Sequence, residues 1–160
     1  MTKENSKMIL VSVIIPVHNS EKYLKRCFTS ILQQTLMPNL SEIVFIDDHS
    51  TDNSLKLIQE FAKRKENTVL IKNKKQLGTG MSRNIGIKKA KGEYVYFLDS
   101  DDYIDPTTLE NLLIAAYDND SDVVISGFYR IKENKEIMGD EIINAVTSDN
   151  KFVAVEATAL

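Results

Sequence analysis

Hydrophobic and polar positions fall into blocks along the chain, and two spacings recur within them. Short apolar runs rich in β-branched and aromatic residues are typical of strands buried on both faces of a parallel sheet. Apolar residues three and four positions apart indicate helices with one buried face. The predicted strands cover residues 9–15, 43–46, 68–71, 94–98 and 123–126.

Helical patterns separate these strands. A helix is predicted over residues 21–34, with Asn19 and Ser20 available as its N-cap. Pro16 is expected to end the first strand, since proline lacks the N–H that a sheet requires. The remaining helices are predicted to follow residues 50–52, the glycine-containing loop at 78–86 (with a helix ending near 91–92), and Pro106. Repeated strand–helix alternation predicts an α/β sandwich with a mainly parallel central sheet flanked by helices.

The length of 160 residues predicts a single domain with a substantial core. Residues 1–7 are polar and are expected to be a flexible N-terminus, whereas residues 140–160 show no clear period and stay unassigned. Residues 128–131 either extend the fifth strand or form a hairpin around Glu133 and Asn134.

Composition narrows the functional classes. Hydrophobic residues make up 42% of the chain and charged residues 27%, which is ordinary for a soluble domain. A net charge of −3 gives no support for nucleic-acid binding. The single cysteine, Cys27, excludes an intrachain disulfide and lies at a predicted core position. With no apolar stretch of about 20 residues and no secretory signal, we expect a cytoplasmic protein.

Polar clusters follow three of the predicted strands, at residues 16–19, 47–50 and 99–102. Ligands in α/β sheets bind at the carboxyl ends of parallel strands, so these clusters are expected to share one edge. Alternation along an extended chain would place Asp99 and Asp101 on one face and Ser100 on the other. Two converging carboxylates favour a divalent metal between them, and the alternative is a solvated acidic turn before the next helix.

A further loop, with Gly78, Gly80 and Arg83 before a predicted helix, offers backbone donors and a guanidinium for phosphate. Together these features outline a site with a base or ribose at Asp48, a diphosphate near Arg83 and a metal at the acidic turn.

Four segments, residues 13–19, 46–52, 78–84 and 97–102, closely resemble the motifs of family 2 glycosyltransferases of the GT-A fold, in the family's order. The resemblance spans about residues 9–130. It implies a nucleotide-diphospho-sugar donor, with a UDP-sugar favoured by family habit, and inversion at the anomeric carbon. It also implies a Mn²⁺ or Mg²⁺ cofactor, which would neutralise the charge of the leaving group.

Matched position by position, the resemblance assigns the DxD motif to residues 99–101, with Asp99 and Asp101 at the metal and Asp101 as the direct ligand. His18 replaces a frequent tyrosine and is expected to stack on the base or bond to it, whereas His49 replaces a frequent glycine and is expected to be a tolerated turn residue. The implied nucleotide-sugar-binding residues are Pro16, Val17, His18, Asn19, Glu21, Asp48, Gly78, Arg83, Asp99 and Ser100.

An inverting transfer also needs a carboxylate that deprotonates the acceptor hydroxyl. Asp140, Glu141 and Glu156 have no recognisable context, so we expect the general base outside this chain and negligible transfer by the chain alone. The expected acceptor is a glycan or a lipid-linked sugar, with membrane-surface contact possible in a full-length protein. A non-catalytic sugar-nucleotide-binding module is the alternative. A dinucleotide-dependent oxidoreductase is rejected, because no G-x-G-x-x-G follows the first strand.

Overall fold

The computed structural model describes residues 8–131, 137–141 and 152–155, with side chains described for residues 8–127. Contacts divide the chain into two compact units, Met1–Ile104 and Asp105–Leu160. In chain order the described elements are β1 (Val11–Val17), α1 (Glu21–Leu32), a short 3₁₀ helix (Pro38–Leu40), β2 (Ser41–Asp47), α2 (Ser54–Ala62), β3 (Thr68–Lys72), α3 (Thr79–Ile87), β4 (Tyr94–Phe97), α4 (Thr108–Asp118), β5 (Val123–Ser126), β6 (Phe128–Ile131), β7 (Ile137–Glu141) and β8 (Phe152–Val155).

The first unit contains a four-stranded parallel sheet in the order β3-β2-β1-β4. Every residue of β1 and β2 is buried, as expected for central strands of a parallel sheet. Phe28 of α1, Phe45 of β2 and Phe61 of α2 form an aromatic cluster with ring centroids 4.5–5.6 Å apart. Cys27 is fully buried, which confirms its predicted core position. The predicted parallel α/β architecture is confirmed.

The expectation that Pro16 ends the first strand is wrong. Val17 accepts a hydrogen bond from Asp48 of the β2 side, while Ile14 accepts one from Leu98 of the β4 side. Because backbone groups alternate between the two neighbours, Pro16 faces the β4 side. There the pairing of β1 with β4 has already ended at Ile14. The missing N–H of Pro16 therefore lies on the side where the ladder with β4 has ended, while the pairing with β2 continues to Val17.

Strand β4 also differs from its prediction as a strand buried on both faces. Val95 is 37% exposed and Phe97 is 43% exposed. The strand is short and lies at the edge of the four-stranded sheet, so the apolar run that identified it does not fill a core on both sides.

The amino-terminal end of this sheet holds a buried polar cluster. The Ser12 hydroxyl donates to the Glu42 carboxylate at 2.6 Å, and that carboxylate accepts from the Lys91 amide at 2.6 Å. The Gly92 amide donates to Ser12 at 2.8 Å. A Cβ at Gly92 would lie 2.5 Å from the Ser12 nitrogen, so only glycine fits there. These bonds fix the start of β4, and α3 ends at Ile87, before the predicted boundary.

The second unit contains α4 and two strand pairs. Strands β5 and β8 are parallel, and β6 and β7 are antiparallel. The β6–β7 pair confirms the hairpin alternative for residues 128–131, although Glu133 and Asn134 lie outside the described residues. Parts of 140–160 form strand, and residues 1–7 lie outside the described range. In the part of the chain that is described, no helix has the length and apolar character needed to span a membrane.

Candidate functional site

The carboxyl ends of β1, β2 and β4 lie at one edge of the sheet, and hydrogen bonds join the polar clusters that follow them. The Asp48 amide donates to the Val17 carbonyl at 2.7 Å, which connects the first cluster to the second. The hydroxyls of Ser20 and Ser100 lie 2.7 Å apart, beside the first and third clusters. The structure thus brings together the three clusters that the sequence places at separate strand ends.

Asn19 and Glu21 hold the loop that enters α2. The Asn19 side-chain oxygen accepts from the Thr51 amide at 2.8 Å. The Glu21 carboxylate accepts from the side chain and the amide of Asn53, at 2.8 and 3.1 Å. Both residues are exposed, and their side-chain hydrogen bonds fix the loop at the edge of the site.

His18 lies exposed beside Asp48, with its Nδ1 atom 2.8 Å from the Asp48 carbonyl oxygen. A carbonyl only accepts hydrogen bonds, so Nδ1 carries a proton, and in the neutral tautomer with this proton Nε2 is an acceptor. The Asn19 side-chain nitrogen lies 3.4 Å from Nε2, in accord with this tautomer. The next histidine, His49, has a φ of 63°, the left-handed conformation expected of a turn residue.

Asp48 is buried, at 3% exposure, and its carboxylate holds the loop before α3. It accepts from the Asn73 side chain at 2.7 Å, the Leu77 amide at 2.8 Å and the Gly78 amide at 2.7 Å. Burial raises the pKa of Asp48, but these donated hydrogen bonds outweigh it and hold the pKa below its usual value. Gly78 has a φ of 88°, which an L side chain rarely adopts.

The neighbouring Asp47 is a candidate that the sequence reasoning missed. It is fully buried, and its Oδ1 accepts a hydrogen bond from the Ser50 amide at 3.3 Å. Its Oδ2 is buried and has no hydrogen-bond partner within the described residues. The sequence does contain a signal for Asp47, namely two successive aspartates at the end of a strand. Because side chains alternate along a strand, the two carboxylates point to opposite faces, and each has to be assessed separately.

Arg83 of α3 forms a salt bridge with Asp99, 2.6 Å between Nη2 and Oδ1. Its guanidinium lies 5.7 Å from the centre of the Phe97 ring. The Arg83 Nε atom is buried and, among the described residues, lacks a hydrogen-bond partner. The residue predicted to contact the nucleotide is therefore placed against a predicted metal ligand.

The acidic segment after β4 is a turn. The Asp102 amide donates to the Asp99 carbonyl at 3.0 Å, so the segment is not extended and the alternation that predicted a shared face for Asp99 and Asp101 does not apply. Burial raises the pKa of Asp102, and the nearby carboxylates of Asp101 and Asp99 raise it further. The turn therefore has the negative potential that attracts a cation.

The described residues contain no group of three or more side chains able to hold a metal by themselves. A Mg²⁺ ion typically takes one or two protein carboxylates and completes its shell with substrate phosphates and water. The turn carries two carboxylates of the predicted motif, Asp99 and Asp101, and Arg83 is bonded to the first of them. The side chains of Asp140, Glu141 and Glu156, the weak candidates for the general base, lie outside the described residues.

The known proteins that this chain resembles are glycosyltransferases. The family model for glycosyl transferase family 2 matches residues 12–151. Glycosyltransferase GlyG of Streptococcus pneumoniae serotype 4 is 34% identical over 158 aligned positions, which cover 89% of this chain and 52% of that protein. The poly(ribitol-phosphate) beta-glucosyltransferase of Bacillus spizizenii is 40% identical over 116 positions, covering 72% of this chain and 18% of that protein.

A solved structure of Staphylococcus aureus TarS, residues 1–349 in complex with UDP, superimposes with a TM-score of 0.74 at 31% identity. The match covers 85% of this chain and 40% of that one. The chain therefore spans about half the length of GlyG, and less of TarS. The motif order, the parallel sheet and these likenesses agree: the chain belongs to glycosyl transferase family 2 and has the GT-A fold.

Proposed function

We propose that the chain binds the donor of a sugar transfer, a nucleotide-diphospho-sugar, at the carboxyl edge of its sheet. The observation that carries the proposal is the meeting of the polar segments after β1, β2 and β4 at this edge, where two buried polar atoms, Asp47 Oδ2 and Arg83 Nε, have no partners among the described residues. Buried polar groups are almost always hydrogen-bonded, because leaving one unpaired costs about 1–3 kcal/mol. Asp47 Oδ2 is an acceptor, which an N–H or O–H group of a base or ribose could satisfy, and Arg83 Nε is a donor, which a phosphate oxygen could satisfy.

The donor would occupy the edge between His18, Asp48 and Arg83. TarS, at 31% identity, was solved with UDP, and a second structure of it contains UDP-GlcNAc. This supports a uridine diphosphate sugar as the donor. His18 is exposed at this edge, and the Asp48 carboxylate fixes the loop before α3 by accepting from the Leu77 and Gly78 amides.

A divalent metal, Mn²⁺ or Mg²⁺, would be held by Asp99 and Asp101 together with the donor's diphosphate. Once bound, it would neutralise the charge on the leaving nucleoside diphosphate. Arg83 would then exchange its bond to Asp99 for the donor, since a guanidinium binds phosphate as readily as carboxylate.

The complete reaction is proposed as an inverting transfer to a glycan or lipid-linked acceptor. In a whole protein of this kind the general base would lie on a segment outside residues 1–160. A cytoplasmic location is proposed from the single cysteine and the charge composition.

Calorimetric titration with UDP, GDP and CDP, each with and without Mn²⁺, tests the proposal. We expect one nucleotide, UDP, to bind more tightly by tenfold or more when Mn²⁺ is present. Asp101→Ala should abolish the metal dependence, while the exposed Asp122→Ala provides a matched control without effect. If no nucleotide binds under any condition, the proposed function is wrong.

A further inference from the structure

The acidic turn at residues 99–102 is braced from helix α1 by one arginine. The Arg26 guanidinium donates to the main-chain carbonyl of Asp101 at 2.8 Å. The same group lies 4.6 Å from the centre of the Tyr103 ring. Arg26 thus contacts residues on both sides of Asp102, the residue at which the turn closes onto Asp99.

A second contact joins the same helix to the turn. The N-cap residue of α1, Ser20, shares a hydrogen bond with Ser100 at 2.7 Å, and both residues are only 7% exposed. The Ser20 amide in turn donates to the Ser54 hydroxyl at 2.9 Å. Helix α1 therefore holds the turn at two places, one buried and one at the surface.

Arg26 bonds the main chain of Asp101 and leaves its carboxylate available. No hydrogen bond from the residues whose side chains are described engages that carboxylate. On the other flank, Arg83 bonds the side chain of Asp99. The two arginines therefore differ: Arg83 competes for a predicted metal ligand, whereas Arg26 fixes the backbone that carries one.

We infer that Arg26, stacked on Tyr103, is a positioning residue for the divalent cation. By restraining the Asp101 carbonyl, it holds the turn in the shape that presents the Asp101 carboxylate to the metal. The inference rests on the proposed function, since the metal is part of that proposal. A guanidinium suits this task because its planar fork donates in the plane while its face stacks on an aromatic ring.

The charge of Arg26 acts in the opposite direction. A positive group near the turn repels an incoming cation, so removal of the charge alone would strengthen metal binding. Removal of the brace would weaken metal binding, because the carboxylate must then be ordered when the metal arrives. The direction of the measured change therefore separates the two effects.

The experiment measures UDP binding by calorimetry, with and without Mn²⁺, in the 160-residue chain. Arg26→Lys, which keeps the charge, should weaken the Mn²⁺-dependent affinity about fivefold, the loss expected for one hydrogen bond. Arg26→Gln should weaken it by a smaller factor, because losing the charge offsets part of the effect. Tyr103→Leu should also weaken it, whereas Tyr103→Phe, which keeps the ring, should match the wild type. UDP affinity without metal should stay within twofold throughout.

Lys25→Gln is the matched control, because it removes one exposed positive charge from the same helix. The inference is wrong if Arg26→Gln strengthens Mn²⁺-dependent binding while Arg26→Lys leaves it unchanged, since Arg26 would then act through charge alone. Unchanged binding in Arg26→Gln, Arg26→Lys and Tyr103→Leu would equally overturn it.

Hydrogen exchange of the Asp102 amide provides a readout without metal or nucleotide. This amide closes the turn onto Asp99, and it should exchange severalfold faster in Arg26→Gln and Tyr103→Leu. Normal Mn²⁺ dependence with unchanged exchange would overturn the inference while the proposed function stands. Absence of Mn²⁺ dependence in the wild type would overturn both the proposed metal site and the role of Arg26 there, even if exchange showed the brace to exist.

Discussion

The two ends of the parallel sheet bury polar side chains to a similar extent but differ in how those side chains are hydrogen-bonded. At the amino end, Ser12 and Glu42 are 0% and 3% exposed, and the amides of Lys91 and Gly92 bond to them. At the carboxyl end, Asp47 is equally buried, yet one of its carboxylate oxygens has no partner within the described residues.

The two ends therefore differ in whether their buried polar groups have hydrogen-bond partners, and not in burial. A buried polar group whose partners lie within the chain stabilises the fold. A buried polar group without a partner lowers stability until a ligand supplies one. The amino end therefore braces the start of β4, and the carboxyl end keeps a buried acceptor that the proposed donor would satisfy.

The largest expected effect is at the amino end. Glu42→Ala removes the acceptor for the Ser12 hydroxyl and the Lys91 amide, and should lower the free energy of unfolding by about 2–3 kcal/mol. Urea denaturation measures this change. The folded variant should bind nucleotide as the wild type does, because the carboxyl end is untouched.

The exposed Glu60→Ala is the matched control for that measurement and should change the free energy of unfolding by less than about 0.5 kcal/mol. If Glu42→Ala weakened nucleotide binding with little change in stability, the contrast between the two ends would be wrong.

Asp47→Asn should give the opposite pattern. It removes a buried charge whose Oδ2 has no partner among the described residues, while an amide oxygen can still accept from Ser50. Stability should be unchanged or higher, and UDP affinity should fall about tenfold, as for the loss of one hydrogen bond to a charged group. Denaturation and calorimetry on the same sample check both parts. A loss of stability without a loss of UDP affinity would show that Asp47 supports the fold and does not bind the nucleotide.

Asp48 shares a feature with each end of the sheet. It lies at the carboxyl end, like Asp47, but its carboxylate already accepts hydrogen bonds from the chain, like that of Glu42. Its pKa is lower in the folded state than its ordinary value, so its ionised form stabilises the fold above about pH 4, and that contribution is lost as the pH falls further. Asp48→Asn should reduce stability by about 1 kcal/mol at neutral pH. Denaturation between pH 7 and pH 3 should show this difference shrinking, whereas a constant difference, like that of an exposed Asp122→Asn control, would contradict it.

The smallest expected effect concerns His49, which adopts a left-handed φ of 63°. His49→Gly should raise the free energy of unfolding by about 0.5–1 kcal/mol, because glycine adopts this conformation without steric cost. His49→Ala, which keeps the backbone cost and removes the imidazole, is the control and should give no such gain. Equal nucleotide affinity in both variants would support a turn role, and a marked loss in both would show that the imidazole binds the ligand.

The sequence predicted the fold well because its evidence is local. Residues 43–46 form an uninterrupted apolar run, which predicted a strand buried on both faces, and these residues are buried in β2. The errors came from neighbours that a sequence does not display. Pro16 remains within β1 because the adjacent strand β4 has already ended, and Val95 and Phe97 are exposed because β4 lies at a sheet edge.

For the candidate site, motif order predicted which strand ends meet, but not how their side chains are used. Asp48 holds the loop at Leu77 and Gly78, and Arg83 bonds Asp99. Both are contacts between residues 16 to 30 positions apart, fixed only when helices and strands pack. The contact of Arg26 with Asp101 and the missing partner of Asp47 Oδ2 likewise depend on how the chain packs. No pattern of residues in the sequence predicts them.

The burial of Cys27 has a practical consequence for attaching a fluorescent label near the candidate site. Burial, reinforced by the charge of Asp102, raises the pKa of its thiol to about 12, so the reactive thiolate is essentially absent at neutral pH. Thiol reagents should therefore ignore the native cysteine, and a fluorophore attached through Gln76→Cys, in the loop that Asp48 holds, would report that loop alone. The native chain therefore has no reactive thiol that would compete with a label in the loop before α3.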